Sequence, residues 1–180
     1  MKISQIQFSE LYRRHLCRHS EFGLNVLHLI AVLGVYFSIA GTISAIAMIL
    51  FPGVPPLTAV AIALIPYTIL ILVYVPIGTA GLNLAAIGLV AGLEQTCTWL
   101  PAWGHILFIL FWHRVQLWSH HYYTESFDMS PFGDKYQKGP KLFLVLAGFE
   151  LPLLIHYFLK LKTLRSELEQ LVPEPSAVDS

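Results

Sequence analysis

From Phe22 to Leu93 the chain carries no Asp, Glu, Lys or Arg. No other feature restricts the fold as strongly. A helix needs about 20 apolar residues to cross a hydrocarbon core of roughly 30 Å, so this block accommodates about three crossings with their turns. A water-soluble fold can bury one such helix, but three in succession lack the polar faces that would meet solvent. Composition agrees, with 56% hydrophobic and 12% charged residues over 180 positions, against roughly 45–50% and about 25% in soluble domains. The net charge of zero provides no basic surface for nucleic acid, so no nucleic-acid partner is expected.

The expected fold is an all-α, polytopic integral membrane helix bundle, with four spans plus a C-terminal helix that is membrane-associated or a fifth span. A lead helix is expected at about residues 4–18. Spans follow at about 24–50, 57–75 with Pro66 as a kink, 82–97, which is rich in Gly and Ala, and 102–118. A last apolar segment covers about 142–159, and Glu150, Pro152 and His156 within it favour a helix packed in the bundle over a full crossing. Residues 1–162 form one transmembrane domain, and 163–180 an exposed tail passing from helix to disorder. The polar N-terminus lacks the apolar core and cleavage site of a signal peptide, so the first span is its own insertion signal. Cys17 and Cys97, far apart and without CxxC spacing, read as free thiols.

Basic residues set the orientation. Lys2, Arg13, Arg14 and Arg18 precede the first span, and Arg114, Lys135, Lys138 and Lys141 flank the end of the fourth. Four crossings put both groups on the cytoplasmic side of a multi-pass protein, in the endoplasmic reticulum of a eukaryote or the inner membrane of a bacterium.

The eight histidines are distributed unevenly. His15, His19 and His28 lie at the entrance of the first span, and His113, His120 and His121 at the exit of the fourth, on the same membrane face. His105 lies deeper, and His156 joins the face if the last segment does not cross. His15 and His19 are four apart and share a helix face; His121 and Glu125 form another such pair. Imidazole suits iron, copper, zinc and nickel, and ionisable groups beside spans are costly and usually functional. Many histidines with few cysteines argue against structural zinc. A histidine or histidine-carboxylate centre at a bilayer surface fits non-haem iron using O2 on a lipid. Asn25 would orient a ligand by hydrogen bonding. Glu125 would be a ligand or fix an imidazole tautomer, and Glu94 and Glu150 are buried-looking carboxylates suited to the same task.

The stretch "YRRHLCRHSEFGLNVLH" resembles the entrance motif of the membrane 2-hydroxy fatty acid dioxygenases of fatty acid α-oxidation. There a Tyr precedes a His, with an Asn and a second His nine positions after the first. His19 and His28 have that spacing, and Asn25 falls one position late. The family's Gln, Gly-His and Glu are similar to "QLWSHHYYTE": Gln116 leads to His120, with Ser119 for Gly, whereas Glu125 matches His121, so both histidines stay candidates. "FLVLAGFE" resembles the family's Leu/Phe-rich segment with its Glu. The Lys and Pro-Ala that follow the first Glu in the family are replaced by "ESFDMSP". The resemblance implies Fe(II), O2 and a fatty-acyl substrate shortened by one carbon. Metal ligands would come from His15, His19, His28, His120 and His121, with Glu125, Asn25 and Gln116 as catalytic residues.

Two other readings compete. "HLCRH" matches the HxxxH box of fatty acid hydroxylases and desaturases, but "LWSHH" matches HxxHH only if Leu117 replaced a histidine, and a third box is absent. Alternatively the histidines serve packing or metal passage in a small transporter or assembly protein.

Overall fold

The computed structural model describes residues 7–97, 100–122, 139–163 and 166. Among them are seven helices and no strand: α1 (Phe8–Arg18), α2 (Phe22–Leu50), α3 (Pro56–Ala63), α4 (Ile65–Tyr74), α5 (Ile77–Glu94), α6 (Ala102–Tyr122) and α7 (Pro140–Leu159). Three of them are long and apolar enough to cross a bilayer: α2, α5 and the Leu142–Leu159 stretch of α7. The α3–α4 pair, bent by 41°, makes a fourth if it counts as one span. Expected to be the fourth span, α6 is 21 residues long but less apolar, because His105, His113, Arg114, Gln116, His120 and His121 interrupt its hydrophobic run.

Local chemistry sets the boundaries. The bend follows Leu64, where Pro66 has no N–H for the carbonyl of Ile62 and its ring crowds that oxygen. The next helix begins at Ile77, earlier than the expected residue 82. Pro76 sits before its first turn with φ −53° and ψ 135°, and its carbonyl accepts from the Ala80 N–H at 2.8 Å. Gly78 and Gly81, expected in a turn, are therefore helical. Likewise α6 runs four residues past the expected end at 118, keeping His120 and His121 on the helix.

At the centre of the bundle, α2 packs most extensively against α6 and also touches α3, α5 and α7. It runs antiparallel to α6: His28 meets Ser119 and His120, Gly34 meets Trp112, and Gly41 meets His105. A Cβ on Gly34 or Gly41 would fall within the Trp112 or His105 ring. Between these glycines, Ser38 is fully buried and turns its hydroxyl back to the Gly34 carbonyl at 2.8 Å. Small residues thus let the two backbones close up, as is common between helices in lipid. On the other side, Leu151 and Leu154 of α7 pack with Val32 and Ile87, and Phe149 meets Phe8 of α1 and Tyr74 of α4.

The distribution of polarity is the reverse of a soluble domain. Asn25, His28, Ser38, Asn83, Glu94, His105 and Ser119 are buried, whereas Ile30, Ile46, Ile69, Leu89, Leu110 and Leu144 are each at least half exposed. An apolar outer surface of this extent suits hydrocarbon rather than water. With the helix lengths, it identifies a membrane protein.

Candidate metal centre

Three imidazoles from three places in the chain meet at the start of α2. His19 ends α1, His28 lies two turns into α2, and His120 lies near the end of α6. Each offers one ring nitrogen, and the three nitrogens lie within 4.8 Å of one another. Ring centroids are 4.7 Å apart for His19–His28, 4.8 Å for His19–His120 and 4.7 Å for His28–His120. Among the described residues this is the one group of three metal-ligating side chains so placed.

Hydrogen bonds fix which nitrogen faces inward. His19 Nδ1 lies 3.3 Å from the His15 carbonyl, and His28 Nδ1 lies 3.2 Å from the Leu24 carbonyl. A carbonyl only accepts, so both Nδ1 atoms carry the proton and both Nε2 atoms keep a lone pair. Ser119 reinforces this: its hydroxyl donates to the Gln116 carbonyl at 2.8 Å, leaving its oxygen to accept from His28 Nδ1 at 3.2 Å. His19 Nε2 is buried and has no hydrogen-bond partner among the described residues. A buried, unpaired lone pair is costly unless something fills it. The donor chemistry therefore fits a bound metal ion, with outer partners orienting each imidazole as metal sites require.

Asn25 pins the turn that delivers His19. It is fully buried and donates to the carbonyls of His19 at 2.6 Å and Glu21 at 2.9 Å. Its Oδ1 accepts from His15 Nε2 at 2.9 Å. His15 in turn stacks on His19, with centroids 4.3 Å apart and planes 7° from parallel. Burial pushes the His15 imidazole down to about 3. Burial, then the neighbouring His15, His28 and His120 rings, holds His19 well below the ordinary histidine range. Both rings are thus neutral at physiological pH, the state in which imidazole binds metal. Asn25→Ala is expected to cost about 1–3 kcal/mol, because it strands the buried His15 Nε2–H and the His19 carbonyl, the Glu21 carbonyl keeping the backbone N–H of residue 25. It should also weaken metal binding about tenfold or more, as loss of outer partners does elsewhere. Thermal unfolding in detergent and metal titration check both; wild-type values would remove Asn25 from this role.

The structure separates the other expected site residues. His15 stands behind the group, with Nε2 engaged by Asn25, and His121 is exposed next to Tyr122. Gln116 donates to Glu150 Oε1 at 3.4 Å, one turn before His120. Glu125 lies outside the described residues. Glu94, expected beside the histidines, belongs to another cluster: Ser44 donates to its Oε2 at 3.2 Å and His105 Nε2 lies 3.7 Å from its Oε1. Ser44 is sixteen residues beyond His28 on α2, about 24 Å away at 1.5 Å per residue. Sequence reasoning gave Ser119 no role, since a serine beside a histidine shows no partner until α2 and α6 are docked.

Comparisons with protein-family models, with curated proteins and with solved structures return no match.

Proposed function

We propose that this chain is a membrane-embedded non-haem iron oxygenase acting on a lipid, with 2-hydroxy fatty acids as substrates shortened by one carbon. The observation that carries the reading is the His19–His28–His120 group, with the Nε2 lone pairs of His19 and His28 left open, at one end of an apolar bundle. In this reading α2, the α3–α4 pair, α5 and α6 make four crossings, α7 packs beside them, and the histidine group sits at the cytoplasmic face.

Three neutral imidazoles would hold Fe(II) and leave positions open. When bound, the iron would activate O2 and orient the substrate. The chain's own residues handle binding. Arg18 lies within electrostatic reach of His28, His120 and Glu150, where it attracts a carboxylate. Lipid-facing residues such as Phe22 and Trp118, both more than half exposed, give the acyl chain an apolar path, with about 0.8 kcal/mol per buried CH2 favouring long chains. The reaction balances as one 2-hydroxy acid plus one O2 giving the acid one carbon shorter, CO2 and water.

Purified protein loaded anaerobically with Fe(II) and given 2-hydroxyhexadecanoic acid and O2 is expected to yield pentadecanoic acid by mass spectrometry. A hydroxylated or desaturated product of unchanged length would favour a hydroxylase or desaturase. Failure to bind iron at all would sink both enzyme readings.

A further inference from the structure

A second site lies on the other flank of α1. A cavity of about 790 Å³ opens between α1, the α4–α5 link and the end of α7, and none of the three clustered histidines lines it. Phe8, Tyr12 and Leu16, one stripe of α1, line it together with Val73 and Val75 from the end of α4 and the link after it. His156 stands edge-on to Tyr12 at 4.6 Å and to Phe8 at 5.3 Å, with Nδ1 2.9 Å from Thr79 Oγ1. The cavity is therefore a built, mostly apolar trough with fixed aromatic sides.

Its polar lining has one sign. Arg13 and Lys160, both exposed, face it from α1 and from the residue that caps α7, and no carboxylate lines it among the described residues. Two cations over an apolar trough suit an anion that carries hydrocarbon. Size separates the possible anions. Pockets of about 300–1,000 Å³ hold whole organic ligands, whereas inorganic phosphate, only a few times larger than a water of about 30 Å³, would leave most of the space empty. Position agrees as well. Tyr157 donates to the Ser20 carbonyl, so the end of α7 lies beside the α1–α2 turn, at the end of the bundle where the basic residues of α1 gather. Anionic lipids attract basic segments at a membrane surface.

We propose that this cavity binds an anionic phospholipid, its phosphate held between Arg13 and Lys160 and its first methylenes laid on Phe8, Tyr12, Leu16, Val73 and Val75. The site is independent of the metal reading and would anchor α1, and with it His19, to the bilayer.

The test uses the full chain in neutral maltoside detergent, titrated with phosphatidylglycerol or phosphatidylcholine, with bound lipid read by native mass spectrometry. Phosphatidylglycerol is expected to bind at least about tenfold more tightly. Arg13→Gln with Lys160→Gln should erase that preference, and Val73→Trp should block both lipids by filling the trough. Lys162→Gln, off the cavity, should leave the preference intact, as should His28→Ala, which separates this proposal from the metal reading. Equal affinity for the two lipids, a preference that survives the double substitution, or full displacement of phosphatidylglycerol by millimolar inorganic phosphate would each overturn it.

Discussion

His28→Ala is expected to abolish stable iron binding, taking the metal content of purified protein from about one ion per chain to below about a tenth. His28 is the most deeply buried of the three clustered histidines, 2% exposed, and its ring is held by both the Leu24 carbonyl and Ser119. Removing a ligand should exceed the 10–100-fold loss typical of removing an outer partner. His19→Ala and His120→Ala should behave alike, because each takes one of the three inward nitrogens. His121→Ala, on an exposed ring, should leave metal content unchanged. Metal analysis on protein with wild-type helicity by circular dichroism decides the matter. If His121→Ala strips the metal and His120→Ala does not, the ligand has been assigned to the wrong histidine.

Gly41→Leu should have the largest effect on the fold. The space a Cβ would need there is occupied by the His105 ring, itself 3% exposed and set beside Glu94. Overpacking of this kind costs about 1–3 kcal/mol, which for a chain of this size lowers the melting temperature by roughly 3–10 °C. The consequence extends beyond stability. Pushing α6 away from α2 also draws His120 from His28, so metal affinity should fall although the substitution lies far from the ligands. Gly88→Ala is the control: a Cβ there meets nothing within 4 Å, and alanine favours helix over glycine by about 1 kcal/mol. Thermal unfolding in detergent and metal titration on both variants test the coupling. A Gly41→Leu protein as stable as wild type would show that α2 and α6 do not pack as closely as the structure has them.

Much of the bundle was legible in the chain because lipid imposes a simple rule on composition. Long uncharged runs become helices, and Pro66 marks a bend through the N–H it lacks, whereas the helix after Pro76 starts at Ile77, ahead of the expected residue 82. The shared face of His15 and His19, whose rings stack, also followed from short-range spacing. Where spacing misled, the missing information was a distant partner. His15 looked equivalent to His19, yet its Nε2 is engaged by Asn25 across the α1–α2 turn. Glu94 looked available to the histidines, yet it ends α5 beside Ser44 and His105, at the far end of α2 from His28.

By itself the sequence determined that the chain enters a membrane as helices and that its histidines gather near two helix ends. It did not determine which imidazoles meet. Adjacent residues on a helix point about 100° apart, so His120 and His121 cannot both face α2. The choice depends on the rotation of α6 about its axis, and that rotation is set by Trp112 against Gly34 and His105 against Gly41. Those contacts join residues more than sixty positions apart in the chain, and only tertiary packing brings them together.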